Sequence, residues 1–260
     1  MKPFLLWIGV GVLAGVAGCD FGHAYETRMK ESRETLDRAE TLAQVLQANV
    51  WGQNNLGLEL RLPQGMSRLK EPTVDASGAV TPSTDLDVLP PPNLALPNRI
   101  ATFRAHVEVG VSAERRRMPM YLYISGAKPT AEQAGAEGVA AGAFLDQVSA
   151  VFQQSFPAAT GSETKEYPAV AIHGVVPKRF QVRTAQAPGE FVAIRGRRDV
   201  PETAEASVEL YLYEDANGNR AALLFYWPQG TVQAERPSEI QWIRQRIDLC
   251  LETVKFRDSQ

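Results

Sequence analysis

The stretch 207-SVELYLYEDANGNRAALLFYWP-228 decides the fold class, because it holds two apolar runs on either side of a polar turn. Residues 207–214 and 220–228 are rich in the aliphatic and aromatic side chains that favour strands. Asn217-Gly218 is a strong signal for a tight turn, since both residue types tolerate positive φ. The stretch therefore predicts an antiparallel β-hairpin.

Segments upstream of this hairpin carry strand patterns as well. Residues 102–110 and 118–126 alternate between two faces, which indicates strands with one well-covered face that are joined by a short connection. Residues 179–184 and 190–196 predict a further pair of strands across the turn AQAPGE. Two more predicted strands are residues 56–63 and 169–174. Together these segments predict an antiparallel sheet.

Two helices are predicted to pack against this sheet. Residues 130–157 begin at Thr130, a suitable N-cap, and carry apolar side chains at helical spacing. Residues 238–256 form an amphipathic C-terminal helix, and Cys250 on its apolar stripe is predicted to be a buried thiol. The predicted fold class is therefore α+β, with an antiparallel sheet packed against a mid-chain and a C-terminal helix.

A third helix is predicted near the N-terminus, over residues 24–50, which contain no Gly or Pro. Met29, Leu36 and Ala43 recur every seven residues, but Ser32 interrupts the stripe. A self-associating stalk, a helix packed on its own domain and a solvated spacer are all compatible with this pattern. The sequence therefore does not determine the oligomeric state.

The N-terminal residues 1–18, MKPFLLWIGVGVLAGVAG, have the layout of an export signal: a Lys, an apolar stretch and small residues. The apolar stretch from Phe4 to Val16 holds about thirteen residues, too few to cross a hydrocarbon core of roughly 30 Å as a helix. An ordinary signal peptide with an incidental Cys and an uncleaved anchor helix are alternatives to the interpretation that follows.

The residues Val16, Ala17 and Gly18, followed by Cys19, resemble the lipobox of bacterial lipoprotein precursors. This resemblance implies that a signal peptidase cuts before Cys19 and that Cys19 carries lipid. Asp20 resembles the residue that retains some lipoproteins in the inner membrane, so the inner membrane is favoured over the outer. We expect a lipid-anchored protein on the extracytoplasmic face of a bacterial membrane.

The predicted domain organisation follows from these features. Residues 1–18 are the signal peptide, residues 19–52 the lipidated N-terminus with its helical tether, and residues 53–260 a single α+β domain. The Pro-rich residues 70–98 are interpreted as an insertion rather than a domain boundary, because the single strand before them cannot form a hydrophobic core by itself.

Two basic clusters, ERRRMP at 114–119 and RGRRD at 195–199, are candidate binding elements. They predict an anion-binding surface if they meet at one end of the sheet. Alternatively, they keep the strand ends soluble. The residues are Arg115, Arg116, Arg117, Arg195, Arg197 and Arg198.

Other chemistry is sparse in the sequence. The net charge of −3 argues against a nucleic-acid partner. No phosphate-binding loop, dinucleotide fingerprint or Cys/His metal spacing occurs in the sequence, so no catalytic residue, metal or cofactor is assigned. The polar run at Asp215 is interpreted as a turn rather than a calcium loop, because the required Gly and Glu positions do not match. His173 is where the site of an envelope hydrolase, the alternative function, would be sought.

The strand that runs into LPQGM, the hairpin at 207–228 and the last helix ending in LETVKF are similar to the PsbP-like α/β sandwich group. This resemblance implies an adaptor or accessory protein, and it transfers no functional residue. We therefore expect a non-catalytic module that binds an envelope protein or another envelope component. Its binding surface is expected to expose aromatic side chains, such as Tyr121, Tyr123, Tyr211 and Tyr213.

Overall fold

The computed structural model describes residues 6–69, 73–74, 80–81, 96–109, 116–128, 139–167, 178–195, 198–229 and 238–257. The chain divides into two compact units at the boundary between Val45 and Leu46. The elements are, in chain order, α1 (Leu6–Val45), β1 (Leu46–Gln53), β2 (Leu58–Pro63), β3 (Ser67–Arg68), β4 (Thr73–Val74), β5 (Val80–Thr81), β6 (Arg99–Val109), β7 (Arg116–Ala127), α2 (Val139–Ser155), β8 (Thr160–Tyr167), β9 (Lys178–Arg195), β10 (Arg198–Glu214), β11 (Arg220–Pro228), α3 (Ser238–Glu252) and β12 (Lys255–Phe256).

The N-terminal unit is formed by the single helix α1. The backbone of Cys19 lies within this helix, and residues 23–37 are exposed to solvent. None of the helices in the described part of the chain combines the length and the hydropathy that a membrane crossing requires.

The helix predicted over residues 24–50 ends earlier than expected, at Val45, and residues 46–53 form β1 instead. The helix ends early because Val50 and Trp51, which are β-branched and aromatic, favour a strand. A tight turn also follows these residues. In that turn the N–H of Gly57 donates to the carbonyl of Asn54, and Gly57 has a φ of 68°. β1 therefore turns back and pairs with β2, so the predicted tether over 19–52 is helical only to Val45.

The second unit contains an antiparallel seven-stranded sheet in the order β3-β6-β7-β11-β10-β9-β8 and a three-stranded sheet in the order β1-β2-β12. β10 and β11 form the hairpin predicted from residues 207–228, and Gly218 in its turn has a φ of 77°. The α+β fold class is confirmed. The predicted strand 169–174, most of the insertion 70–98 and the first part of the predicted mid-chain helix lie outside the described residues.

The large sheet is covered at its centre on both faces, since all nine residues of β11 are buried. α3 packs against β1, β2 and β8, and α2 packs against β11. The three-stranded sheet shares ring contacts with one face of the large sheet. Trp51 of β1 meets Phe103 of β6 edge-on at 5.4 Å, and Phe256 of β12 stacks on Tyr213 of β10 at 5.9 Å.

β9 corrects one sequence prediction, because the expected turn AQAPGE lies inside a continuous strand of 18 residues. Pro188 pairs with Glu205 and Gly189 with Ala204 in an unbroken register with β10. Gly189 serves close packing rather than a turn: a Cβ at this position would lie 2.1 Å from the Tyr226 hydroxyl. Glycine is therefore required at position 189, because the Tyr226 side chain occupies the space that a larger residue would need.

The far end of β9 closes part of the sheet on itself. β9 pairs with β10 from Gln181 to Arg195, and near its end Ile194 also pairs with Arg117 of β7. Strands β7, β11, β10 and β9 thus form a closed ring. Phe191 of β9 stacks on Tyr226 of β11, and the two ring centroids are 5.3 Å apart.

The aromatic side chains that were expected to form an exposed binding surface are mostly internal. Tyr121, Tyr123 and Tyr211 are each at most 2% exposed, and Tyr213 is half-buried between Phe180 and Phe256. The prediction is wrong because strands at the centre of this sheet are covered on both faces, so the second side-chain set is buried like the first.

Candidate functional site

The two arginine clusters meet at one end of the large sheet. The pairing of Arg117 with Ile194 places the start of β7 beside the end of β9, and Arg195 faces Arg198 across the β9–β10 register. The strand pairing therefore makes the two clusters neighbours, which is the condition stated above for an anion-binding surface. Arg115 and Arg197 lie outside the described residues.

Acidic residues lie among these arginines. Arg116 forms an ion pair with Glu202 of β10, and Glu108 of β6 is directly opposite Arg117 in the strand register. Arg116 is thus engaged by a carboxylate of the protein itself. The ion pair therefore links β7 to β10.

A groove of about 520 Å³ runs beside β10. Its lining includes Thr184, Gln186, Glu205, Ser207, Glu209 and Arg244. A neighbouring depression of about 370 Å³ shares Gln186 and Glu205 with it. The two depressions together follow the β9–β10 pair, so an elongated ligand would lie along these strands.

A buried carboxylate, that of Glu209, lies at this groove, with only 3% of its side chain exposed. The Tyr211 hydroxyl donates to one of its oxygens at 2.6 Å, and the Arg244 guanidinium of α3 lies 2.8 Å from the other. The side chain of Arg244 is 52% exposed, so its remaining N–H groups face the groove and solvent. Glu209 therefore fixes the position of a half-exposed guanidinium, which is a donor for carboxylate or phosphate groups.

A second tyrosine hydroxyl binds a carboxylate on α3. Tyr167 donates its proton to Asp248 at 3.0 Å, just as Tyr211 donates its proton to Glu209. Burial, together with the nearby carboxylates, raises the pKa of Tyr167 and of Tyr211. Both phenols therefore stay protonated near neutral pH and act as hydrogen-bond donors, not as general bases.

Lys178 lies at the same contact between α3 and the sheet. Its Nζ donates to the backbone carbonyl of Glu252 at 2.6 Å, which satisfies a carbonyl in the last turn of α3. Burial lowers the pKa of Lys178 to about 8, although the Glu252 carboxylate acts in the opposite direction. The lysine is therefore placed as a helix cap.

Two other residues that the sequence singles out, Cys250 and Asp215, have structural roles. Cys250 is a buried free thiol, as predicted, and burial raises its pKa, so the thiol stays protonated. The Asp215 carboxylate accepts the backbone N–H groups of Asn217 and Asn219 and the Asn219 amide, which confirms a hairpin turn. Among the described residues, no group of three His, Cys, Asp or Glu side chains is arranged to hold a metal ion. His173 lies outside the described residues.

The Glu209–Arg244 pair cannot be predicted from the sequence pattern. In SVELYLYE, Glu209 occupies an ordinary alternating position, which is typical of a solvent-facing residue in a strand. Arg244 is one of several charged residues on an amphipathic helix. Only the folded structure identifies them as partners, because the two residues belong to different elements, α3 and β10.

Comparison with known proteins gives a distant structural likeness. No protein-family model matches the chain, and no curated protein sequence matches it. The structure is similar to that of Mog1p, a Ran-binding protein of Saccharomyces cerevisiae, with 11% identity and a TM-score of 0.38 over 82% of this chain and 97% of that chain. This likeness is too distant to support a functional inference.

Proposed function

We propose that this chain is a lipid-anchored module on the extracytoplasmic face of a bacterial membrane, and that it binds an envelope protein or another envelope component without catalysing a reaction. The observation that carries the anchor is the sequence Val16-Ala17-Gly18-Cys19 directly after an apolar stretch with the layout of an export signal. Several acyl chains on Cys19 would hold the protein at a bilayer, at about 0.8 kcal/mol for each buried CH₂ group.

The length of α1 supports a spacer between the anchor and the globular unit. From Cys19 to Val45 the chain is helical, and a helix of that length spans about 40 Å at 1.5 Å per residue. Its residues 23–37 are exposed, as expected for a solvated segment. The globular unit begins at the next residue, Leu46.

The groove beside β10 supports the binding part of the proposal. It combines a preorganised guanidinium, Arg244, with hydroxyl and amide side chains, Thr184 and Gln186, that donate and accept hydrogen bonds. Such a surface suits the carboxylates and backbone groups of an extended polypeptide, as in polar protein interfaces. We therefore expect the partner to contact β9 and β10.

The anchor is tested by a Cys19→Ala variant with membrane fractionation and intact-mass measurement. The wild-type chain should fractionate with membranes and have a mass that corresponds to cleavage before Cys19 plus acyl chains. The variant should lose that added mass and leave the membrane fraction. A wild-type protein that is soluble and carries no acyl group would contradict the proposal.

The groove is tested by filling it. Ala158 lines the groove and is exposed, so Ala158→Trp should block a partner without disturbing the core. Ala150→Trp, at an exposed position of α2 outside the groove lining, is the matched control. A partner that cross-links to the wild type in intact membranes should be lost with the first variant and retained with the second. Equal cross-linking of both variants would rule out this groove as the contact.

A second candidate function, self-association as a structural spacer, is favoured by one observation on α1. Tyr25, Met29 and Leu36 are 66%, 41% and 69% exposed, and they lie on one face of the helix at heptad spacing. A second copy of α1 would cover this stripe. The spacer function predicts reversible dimers in sedimentation of the Cys19→Ala chain, and Leu36→Glu should abolish them. A monomer at all concentrations would remove this candidate.

A further inference from the structure

A small pocket at the β1–β2 turn has a surplus of positive charge. Its volume is about 220 Å³, and its lining includes Gly52, Asn54, Gly57, Glu59, Lys128 and Arg257. One water takes about 30 Å³ in the liquid, so the pocket has room for a tetrahedral oxyanion with a substituent. The pocket lies wholly within the unit that begins at Leu46 and is separate from the groove at Glu209.

The carboxylate of Glu59 organises this pocket. Its side chain is only 7% exposed, and its two oxygens form separate ion pairs, one with Lys255 at 3.0 Å and one with Arg257. The single negative charge is therefore shared between two cations. Lys128 and Arg257 line the pocket together with Glu59, so the lining carries a net charge of +1, and Lys255 pairs with the second oxygen of Glu59.

Arg257 presents free donors to the pocket. It meets Glu59 through Nε, so its terminal N–H groups are not used in that pair, and its side chain is 70% exposed. The backbone of Arg257 is fixed as well, because its N–H donates to the carbonyl of Gly57 at 2.8 Å. A guanidinium held at both its backbone and its Nε loses little conformational freedom when it binds an oxyanion.

Lys128 is brought to the same place by the close packing of β7 under the turn. A Cβ at Gly126 would lie 2.6 Å from the Leu56 side chain, so this glycine lets the end of β7 approach the β1–β2 turn. Lys128 follows two residues later, is exposed and forms no ion pair with any other residue that the structure describes. Its ammonium group is therefore available to a ligand.

We propose that this pocket binds a phosphate monoester or inorganic phosphate. A phosphate of this kind carries a charge of about −1.5 to −2 near neutral pH, so the positive charge of the lining attracts it. Arg257 supplies a planar pair of donors, and Lys128 supplies a point charge on the same lining. The proposal does not depend on lipid attachment at Cys19.

The test is isothermal titration calorimetry of the full chain in detergent with inorganic phosphate at constant ionic strength. Saturable binding at a single site is expected, and Arg257→Gln should weaken it about tenfold, as for loss of one hydrogen bond to a charged group. Lys128→Gln should weaken it as well, and it serves as the second variant if Arg257→Gln does not fold. The matched control is Arg179→Gln, because Arg179 is 71% exposed and also meets a carboxylate, that of Glu166, through Nε.

Short-chain phosphatidic acid distinguishes a lipid headgroup from free phosphate as the source of the ligand. Tighter binding of this lipid than of inorganic phosphate would identify a headgroup, and equal or weaker binding would identify the free anion. Short-chain phosphatidylcholine, which lacks the monoester, should not compete. The proposal is overturned if neither phosphate compound binds saturably, or if Arg179→Gln weakens binding as much as Arg257→Gln.

Discussion

Glu59 and Glu209 are both buried carboxylates, but they have different partners. Glu209 is bound by the buried Tyr211 hydroxyl and by one guanidinium, so its charge is matched by one cation within the contact between α3 and the sheet. Glu59 is matched by two cations at the rim of a pocket, and both of these are more than half exposed. The first arrangement joins two layers of the fold, whereas the second leaves positive charge available to a ligand.

The largest effect is expected from removing the carboxylate inside the fold. Glu209→Ala should lower the free energy of unfolding by about 3 kcal/mol, because it creates a cavity and leaves the buried Tyr211 hydroxyl without its acceptor. Urea denaturation followed by circular dichroism measures this change. Glu205→Ala, at an exposed position on the same strand, is the control and should change stability by less than about 0.5 kcal/mol. Similar losses in the two variants would show that Glu209 does not join α3 to the sheet.

A smaller effect is expected at the rim. Glu59→Gln should lower the free energy of unfolding by about 1 kcal/mol, since both cationic partners remain solvated after the change. High salt should reduce the difference from the wild type, because ion pairs with exposed partners are screened. The Glu209→Ala difference should persist at the same salt concentration, since a cavity is not screened. A difference for Glu59→Gln that equals the one for Glu209→Ala would remove the distinction between the two carboxylates.

The smallest effect is a pH dependence that arises at the α3 contact. The pKa of Lys178 is lowered from 10.5 to about 8 in the folded chain, so the unfolded chain binds more protons above pH 8, and stability should rise as the pH increases from 8 to about 9. Above pH 9 the buried Cys250 thiol, whose pKa is raised in the folded chain, offsets this rise, because only the unfolded chain loses the thiol proton. Above pH 10 the sign reverses, because Tyr167 and Tyr211 have a raised pKa when folded and only the unfolded chain loses their protons.

Thermal unfolding at a series of pH values measures this dependence. Lys178→Met keeps the length of the side chain but removes the titrating group, and it should flatten the rise above pH 8. The fall above pH 10 should remain in this variant. A rise of the same size in Lys178→Met would assign it to another group.

The sequence was sufficient where local signals specify structure. The β10–β11 hairpin was predicted because Asn217-Gly218 sets the turn within the segment itself. The expected turn at Pro188-Gly189 was wrong because the space around Tyr226, on another strand, decides the conformation there. The end of α1 at Val45 depends in the same way on pairing of β1 with β2. Features set by partners distant in sequence, including the Glu209–Arg244 pair, leave no local pattern.

The candidate site shows the same division. The prediction of lipid attachment at Cys19 rests on neighbouring residues alone, because the proposed signal peptidase would read a short contiguous segment. The phosphate pocket could not, since Glu59, Lys128 and Arg257 come from three separate segments of the chain. The basic clusters that are visible in the sequence are the two arginine-rich runs, whereas the pocket with surplus charge uses isolated cations.

The ring formed by β7, β11, β10 and β9 has a consequence for the order of folding. The pair Arg117–Ile194 joins strands that are far apart in the chain, while β9–β10 and β10–β11 are consecutive hairpins. Closing a short loop costs less entropy than closing a long one, so the hairpins are expected to form first and the β7–β9 seam last. In the folded protein, the same seam is where amide protons should exchange through local opening, while the β10–β11 amides require global unfolding.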